Sequence, residues 1–236
     1  MVIAWRQGAY ERAISCDEAA LRIATAVDDP RERADALVNL GIVATHRGDF
    51  EVAREHLAEA VRLNRAVGDQ HAVLHALINL GYDCTLRGEL SEARAIFDEV
   101  LTTAQAFGLQ KHIAYALENL GNISTLEGEY AGARTRLCQS LVLGRELGDH
   151  HLLLYVLGDL TKLEAAFGTP ERAARLGGAV SALRHQLGAS MAPAEDEQRE
   201  RALQQARAAL GEAAYRRAFE DGHALSVDAA LSYALT

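Results

Sequence analysis

A chain of 236 residues, 49% hydrophobic and 24% charged, is long enough to bury a large surface in one core or in a stacked series. Its formal net charge is −9, with Lys and Arg interspersed among Asp and Glu, which argues against nucleic acid or an anionic membrane as the main partner. No apolar run reaches the ~18 residues of a membrane span, and the N-terminus lacks the basic, apolar, small-residue order of a signal peptide, so a cytoplasmic location is expected.

Ala, Leu, Arg and Glu recur throughout, prolines number three, and no stretch sustains two-residue alternation of β-branched residues. An all-helical protein is therefore expected. Cys16, Cys84 and Cys138 are odd in number, widely spaced and inside helical patterns, and read as small reduced residues of core or groove.

Taken in chain order, the sequence repeats itself. RQGAYERA around Gly8 returns as HRGDFEVA around Gly48, LRGELSEA around Gly88, LEGEYAGA around Gly128 and AFGTPERA around Gly168, a 40-residue period without insertion. An alanine column runs through Ala13, Ala53, Ala93, Ala133 and Ala173. A second signature, NLG, occupies Asn39 to Gly41, Asn79 to Gly81 and Asn119 to Gly121, with DLT at Asp159 to Thr161.

Each unit reads as two helices. Helix A is expected near 32–47, 71–87, 111–127 and 151–167, and helix B near 50–67, 90–107, 130–147 and 170–187. Gly48, Gly88 and Gly128 stand where helix A needs a C-cap, and Thr169 followed by Pro170 reads as an N-cap with proline at the first helical position. Gly41, Gly81 and Gly121 fall inside helix A, each at a cost of ~1 kcal/mol relative to alanine. Close approach of the alanine column of helix B, twelve residues later, would offset it.

Leu120, Gly121, Gly128, Tyr130, Ala133 and Leu137 match the order and spacing of the tetratricopeptide repeat (TPR), and the array over about 1–190 resembles the longer-helix variety of that family. The resemblance implies an all-α, right-handed superhelical solenoid of helical hairpins that binds protein or peptide. The units are about 1–30, incomplete, then 31–70, 71–110, 111–150 and 151–190, and 191–236 forms C-terminal capping helices. Because the first unit starts halfway along helix A, leaving Val2, Ile3 and Trp5 without a preceding turn, an attached upstream domain is expected.

The segment after Ala192-Pro193 abandons the period, with AEDEQRERALQQARAALG, then EAAYRRAFEDG, then a short helix capped by Ser226. The run from ERAARLGGAVSALRHQLGAS through ALSVDAALSYAL resembles the C-terminal region of large bacterial STAND-type ATPase regulators of the LuxR/MalT/AfsR-like group. That resemblance implies the sensor or signal-transducing part of a transcriptional regulator. No GxxxxGK[ST] loop occurs here, so ATP hydrolysis is not assigned to these residues. The alternative is a freestanding adaptor that joins two proteins without switching.

In such a stack helix A lines the concave face, and spacing of i, i+3, i+4, i+7 marks one stripe of it. The candidate partner-binding residues are Asp35, Asn39, His75, Asn79, Tyr82, Tyr115, Asn119, Asn122, Tyr155, Asp159 and Lys162. A register-matched series of Asn39, Asn79, Asn119 and Asp159 can clamp an extended peptide backbone, or else bridge neighbouring hairpins internally. The ligand expected is a protein or peptide, or a small polar effector.

Other chemistry finds little support. His71 and His75, four apart, lack a third metal ligand nearby, so neither metal nor cofactor is assigned. The plentiful carboxylates fall among arginines, the pattern of a solvated helix surface, and no nucleophile elbow is present, so no catalytic residue is expected.

Overall fold

The computed structural model describes residues 10–189 and 191–236. Gly8, Met1, Val2, Ile3 and Trp5, on which the reading of an incomplete first unit rests, lie outside the described residues. The described elements are all helices. They are α1 (Tyr10–Ala26), α2 (Pro30–Arg47), α3 (Phe50–Val67), α4 (Gln70–Arg87), α5 (Leu90–Phe107), α6 (Gln110–Leu126), α7 (Tyr130–Leu147), α8 (His150–Phe167), α9 (Pro170–Leu187), α10 (Pro193–Leu210), α11 (Glu212–His223) and α12 (Val227–Leu235). This is an all-α solenoid of helical hairpins.

Helices A of the repeat are α2, α4, α6 and α8. They begin one or two residues earlier than the periodicity predicts, and side-chain caps explain the shift in α2, α4 and α8, whereas α6 starts after Leu109, which caps nothing. Asp29 accepts from Arg31 N at 3.0 Å and Glu32 N at 3.2 Å, while Asp69 and Asp149 each accept from the backbone N three residues on at 3.1 Å. Each helix end is turned by a left-handed glycine. At Gly48 (φ +80°), the Gly48 N–H donates to Thr45 O and the Asp49 N–H to Ala44 O, a Schellman closure that satisfies two orphan carbonyls. Thr169 does sit at the N-cap before Pro170, but its hydroxyl donates back to Glu164 instead of capping α9.

The chain forms two compact units. Residues 10–107 with 191–194 make unit 1, and residues 108–189 with 195–236 make unit 2. In unit 1 each helix packs on its chain neighbour from α1 through α5. The alanine column is fully packed, with Ala13 at 1% exposure and Ala53, Ala93, Ala133 and Ala173 at 0%. The glycines inside helix A do sit at close approaches of helix B, but the nearest atoms are not those of that column, which comes close only at Gly121, where a Cβ would lie 3.3 Å from Ala133 O. A Cβ on Gly41 would lie 2.6 Å from Leu57 Cγ, on Gly81 2.7 Å from Phe97 Cζ, and on Gly121 2.7 Å from Leu137 Cγ. A large side chain sixteen residues on, not a small one twelve on, needs the space.

In unit 2, α6 to α9 repeat this packing, α12 lies against α7, α8 and α9, and α11 crosses α9. The α9/α11 crossing is a backbone contact. A Cβ on Gly178 would lie 2.8 Å from His223 N and closer still to Phe219 O, and one on Gly222 would lie 2.6 Å from Arg175 C. Arg172 and Arg175 hold α12 against α9, their guanidinium carbons 5.0 and 5.1 Å from the centre of the Tyr233 ring. Ser226 caps α12, its hydroxyl accepting from Ala229 N at 3.2 Å.

Candidate partner-binding face

The predicted stripe divides into two parts of different character. In unit 1, Asp35 and His75 are exposed and Asn39, Asn79 and Tyr82 are half-buried, all on α2 and α4. Burial first, then the Asp69 and Asp29 charges, raise the Asp35 pKa. Asn79 bonds back along its own helix, Nδ2 donating to His75 O at 2.8 Å. Asn39 donates instead to Asp17 Oδ1 on α1 at 3.1 Å, a bridge between neighbouring helices.

In unit 2 the matching residues are mostly covered. Tyr115 and Tyr155 are half-buried, whereas Asn119, Asn122, Asp159 and Lys162 are buried. Tyr115 donates to Asp149 at 3.3 Å, beside Lys111. Asn119 donates to Tyr115 O at 2.9 Å and to the Glu118 carboxyl. Lys162 bonds Asn122 Oδ1 at 2.9 Å and Asp159 Oδ1 at 2.6 Å. Burial and the Asp159 charge push the Glu118 pKa well up, while for Lys162 burial is outweighed by the Asp159 and Glu195 charges, which favour its charged form.

These partners correct the expectation that the carboxylates are surface residues. Asp17, Asp83, Glu118, Asp159, Glu164 and Glu195 are all buried. Asp83 accepts from the Thr45 hydroxyl at 3.0 Å, and Glu164 pairs with Arg134 and Arg172. The register held a signal for them. Asp83 stands where other repeats have Val43, Ile123 and Leu163; Glu118 where they have Val38, Ile78 and Gly158; Asp17 where they have Leu57, Phe97 and Leu137. An acid in an otherwise apolar column is a buried acid with a partner.

Among the described residues one group of side chains comes within ligand distance of one another, and it does not include the paired histidines. His71 and His75 are both exposed. Cys84, Glu89 and Glu92 do come within ligand distance of one another, but Arg54 lies 2.6 Å from Glu92 and 3.6 Å from Glu89, and Arg87 2.9 Å from Glu89. Burial pushes the Cys84 thiol up to about 12, so it is no thiolate near neutral pH. All three cysteines are free. Cys16 is exposed, against the expectation of a core or groove position, while Cys84 is buried and Cys138 half-buried.

Residues 2–66 and 32–106 match the tetratricopeptide repeat model, and residues 87–174 match that of anaphase-promoting complex subunit 5. The fold is similar to the crystal structure of BtubC (BKLC) from P. vanneervenii, at 20% identity and a TM-score of 0.65 over 95% of this chain and 92% of that one. No curated protein matches the chain. The repeat-family matches support a protein-interaction module. The chain carries a tetratricopeptide-repeat region, and repeat folds of this kind typically serve as non-catalytic scaffolds.

Proposed function

We propose that this chain is the sensor or signal-transducing part of a bacterial transcriptional regulator and that a protein or peptide binds the A-helix face. The observation that carries the binding reading is the contrast within the stripe. Asp35, Asn39, His75, Asn79 and Tyr82 present polar and aromatic groups that water reaches, on two helices in one register. Of the matching positions in unit 2, Tyr115 and Tyr155 stay half-buried, whereas Asn119, Asn122, Asp159 and Lys162 are buried and bonded to Glu118 or to one another. Tyr115, Asn119, Asn122, Tyr155, Asp159 and Lys162 then serve the face by fixing α6 and α8, and a small effector is a second class of ligand for the exposed part.

The regulatory role is supported by the tail, whose sequence resembles STAND-type regulators. Its α11 is seated on α9 by a backbone crossing that a ligand on unit 2 could load or relax. Its three free cysteines support a cytoplasmic location.

The test is a pair of variants. Asn79→Ala with Tyr82→Ala should abolish capture of partner protein from a lysate of the source organism and leave the melting temperature within about 1 °C, because half-exposed surface changes cost little. Asn119→Ala should lower the melting temperature, since it leaves Glu118 without its amide. Equal capture by wild type and the double variant would remove the face from the reading. Capture without any change in transcription when the gene is deleted would favour an adaptor.

A further inference from the structure

Helix α12 is short, and its apolar seat is incomplete. Of its nine residues Ala230, Leu231 and Ala234 are buried, so two of the three buried side chains are alanines. A cavity of about 30 Å³ remains beneath it, lined by Leu157 of α8, Ala179 and Leu183 of α9, and Leu225, Val227 and Ala230 of the tail. A helix of this length is not stable alone in water, where about 12–15 residues are needed, so α12 is helical because it is docked.

Polar contacts from α9 supply what apolar surface does not. Arg172 Nη2 donates to Tyr233 O and to Ala234 O at 3.4 Å each, and Nη1 donates to Thr236 Oγ1 at 3.1 Å. Carbonyls at a helix C-terminus run out of donors within the helix and carry partial negative charge, so a guanidinium there is stabilising. The Nε–H of the same guanidinium bonds Glu164 Oε1 at 3.0 Å. Glu164 is buried at 1% exposure near the end of α8, and Arg134 of α7 pairs with that same oxygen. One arginine thus ties the carbonyl end of α12 to a carboxylate at which α7, α8 and α9 meet.

We propose that α12 is a strap that opens and closes independently of the repeats, and that Arg172 is its catch, aimed by Glu164. Loss of the Glu164 contact lets the guanidinium turn away from the α12 carbonyls, and α12 keeps the weaker hold of Arg175, whose guanidinium carbon is 5.1 Å from the centre of the Tyr233 ring. A shift of α8 against α9 has the same effect, so the state of α8 is passed to α12. The strap operates whether or not a partner occupies the A-helix face.

Native-state hydrogen exchange on the full chain compares protection at 230–235 with protection at 176–183 of α9. In wild type the α12 amides should be less protected by about tenfold or more, because the strap opens without the repeats. Arg172→Met should lower their protection by about tenfold again and leave α9 within about twofold, and Glu164→Gln should act in the same direction. Glu164→Gln added to Arg172→Met should change α12 by no more than about twofold, since Glu164 acts through Arg172.

If Arg172→Met fails to fold, Arg172→Lys should loosen α12 likewise, for it keeps a cation beside Glu164 and lacks the fork that spans Tyr233 O and Ala234 O. Equal protection of α12 and α9 in wild type, with the two moving together in the variants, would overturn the strap. Unchanged α12 exchange in Glu164→Gln, or additive effects of the two substitutions, would overturn the role given to Glu164.

Discussion

The α9/α11 crossing makes a sharp demand on sequence, because Gly178 and Gly222 meet through backbone. Replacing Gly178 by alanine puts a methyl group 2.8 Å from His223 N and 3.0 Å from Phe219 C, and nearer to the Phe219 oxygen. Ordinary carbon contacts lie at about 3.5–4.0 Å, so the two helices must part by about 1 Å. No rotamer change relieves the clash, since the obstructing atoms are peptide atoms. Overpacking of this kind costs about 1–3 kcal/mol, and here the upper end applies, less about 1 kcal/mol that alanine contributes to the helix.

The net loss is about 2 kcal/mol, or roughly 4–8 °C in a chain of this size. Gly158 on α8 is the control, for a Cβ there meets nothing within 4 Å. Gly158→Ala should raise the melting temperature by about 2–4 °C from helix propensity alone. Gly41→Ala should fall between them, since its obstacle, the Leu57 tip, can turn aside. Calorimetry ranks the three, and hydrogen exchange localises the Gly178→Ala loss to α9 and α11, because stacked repeats need not unfold together. Equal melting shifts for Gly178→Ala and Gly158→Ala would refute the steric argument.

Two buried groups of unit 1 oppose each other in acid. Burial pushes Asp83 up to about 6 from 3.8, so its contribution is present below about 3.8 and is lost as pH rises through 6. Burial lowers His46 from 6.5 to about 4, so its contribution is present above 6.5 and is lost as pH falls through 4. Each displacement is worth about 3 kcal/mol at about 1.4 kcal/mol per pH unit. Urea midpoints between pH 4 and 7 should therefore rise more steeply with pH in Asp83→Asn than in wild type, and less steeply in His46→Asn; parallel curves would contradict both. Asp28 holds φ +54° where later repeats place Gly68, Gly108, Gly148 and Gly188. Asp28→Gly should stabilise the protein by about 1 kcal/mol, seen as a raised melting temperature, and a lowered one would show the aspartate side chain to matter more than its backbone.

The helices were legible because periodicity and punctuation agreed. Every B helix from α3 to α9 has the bounds that its alanine column and turn glycine predict. The A helices were misplaced by one or two residues, mostly at their starts; Asp29, Asp69 and Asp149 act as N-caps for three of them, a signal present in the sequence, whereas α6 follows Leu109, which supplies no cap. What periodicity could not supply was the identity of the atom opposite a glycine. Gly41 and Gly178 look alike in sequence, but one faces a leucine tip and the other a carbonyl, and only the crossing geometry of α9 and α11 distinguishes them.

The face was legible in register and not in depth. Asn79 and Asn119 stand at one repeat position, yet Asn79 bonds within its own helix while Asn119 also donates to the buried Glu118 carboxyl, which lies with Lys162 in one cluster. The difference begins with two charged residues at buried positions, Glu118 in an otherwise apolar column with Val38, Ile78 and Gly158, and Lys162 at the register of Ile42, Tyr82 and Asn122, each of which would be costly alone. Together with Asp159 and Glu195 they compensate one another, and in doing so they draw the later part of the face inward. A repeat array can thus keep a single backbone period while assigning exposed polar groups to one stretch of hairpins and internal charge balance to another.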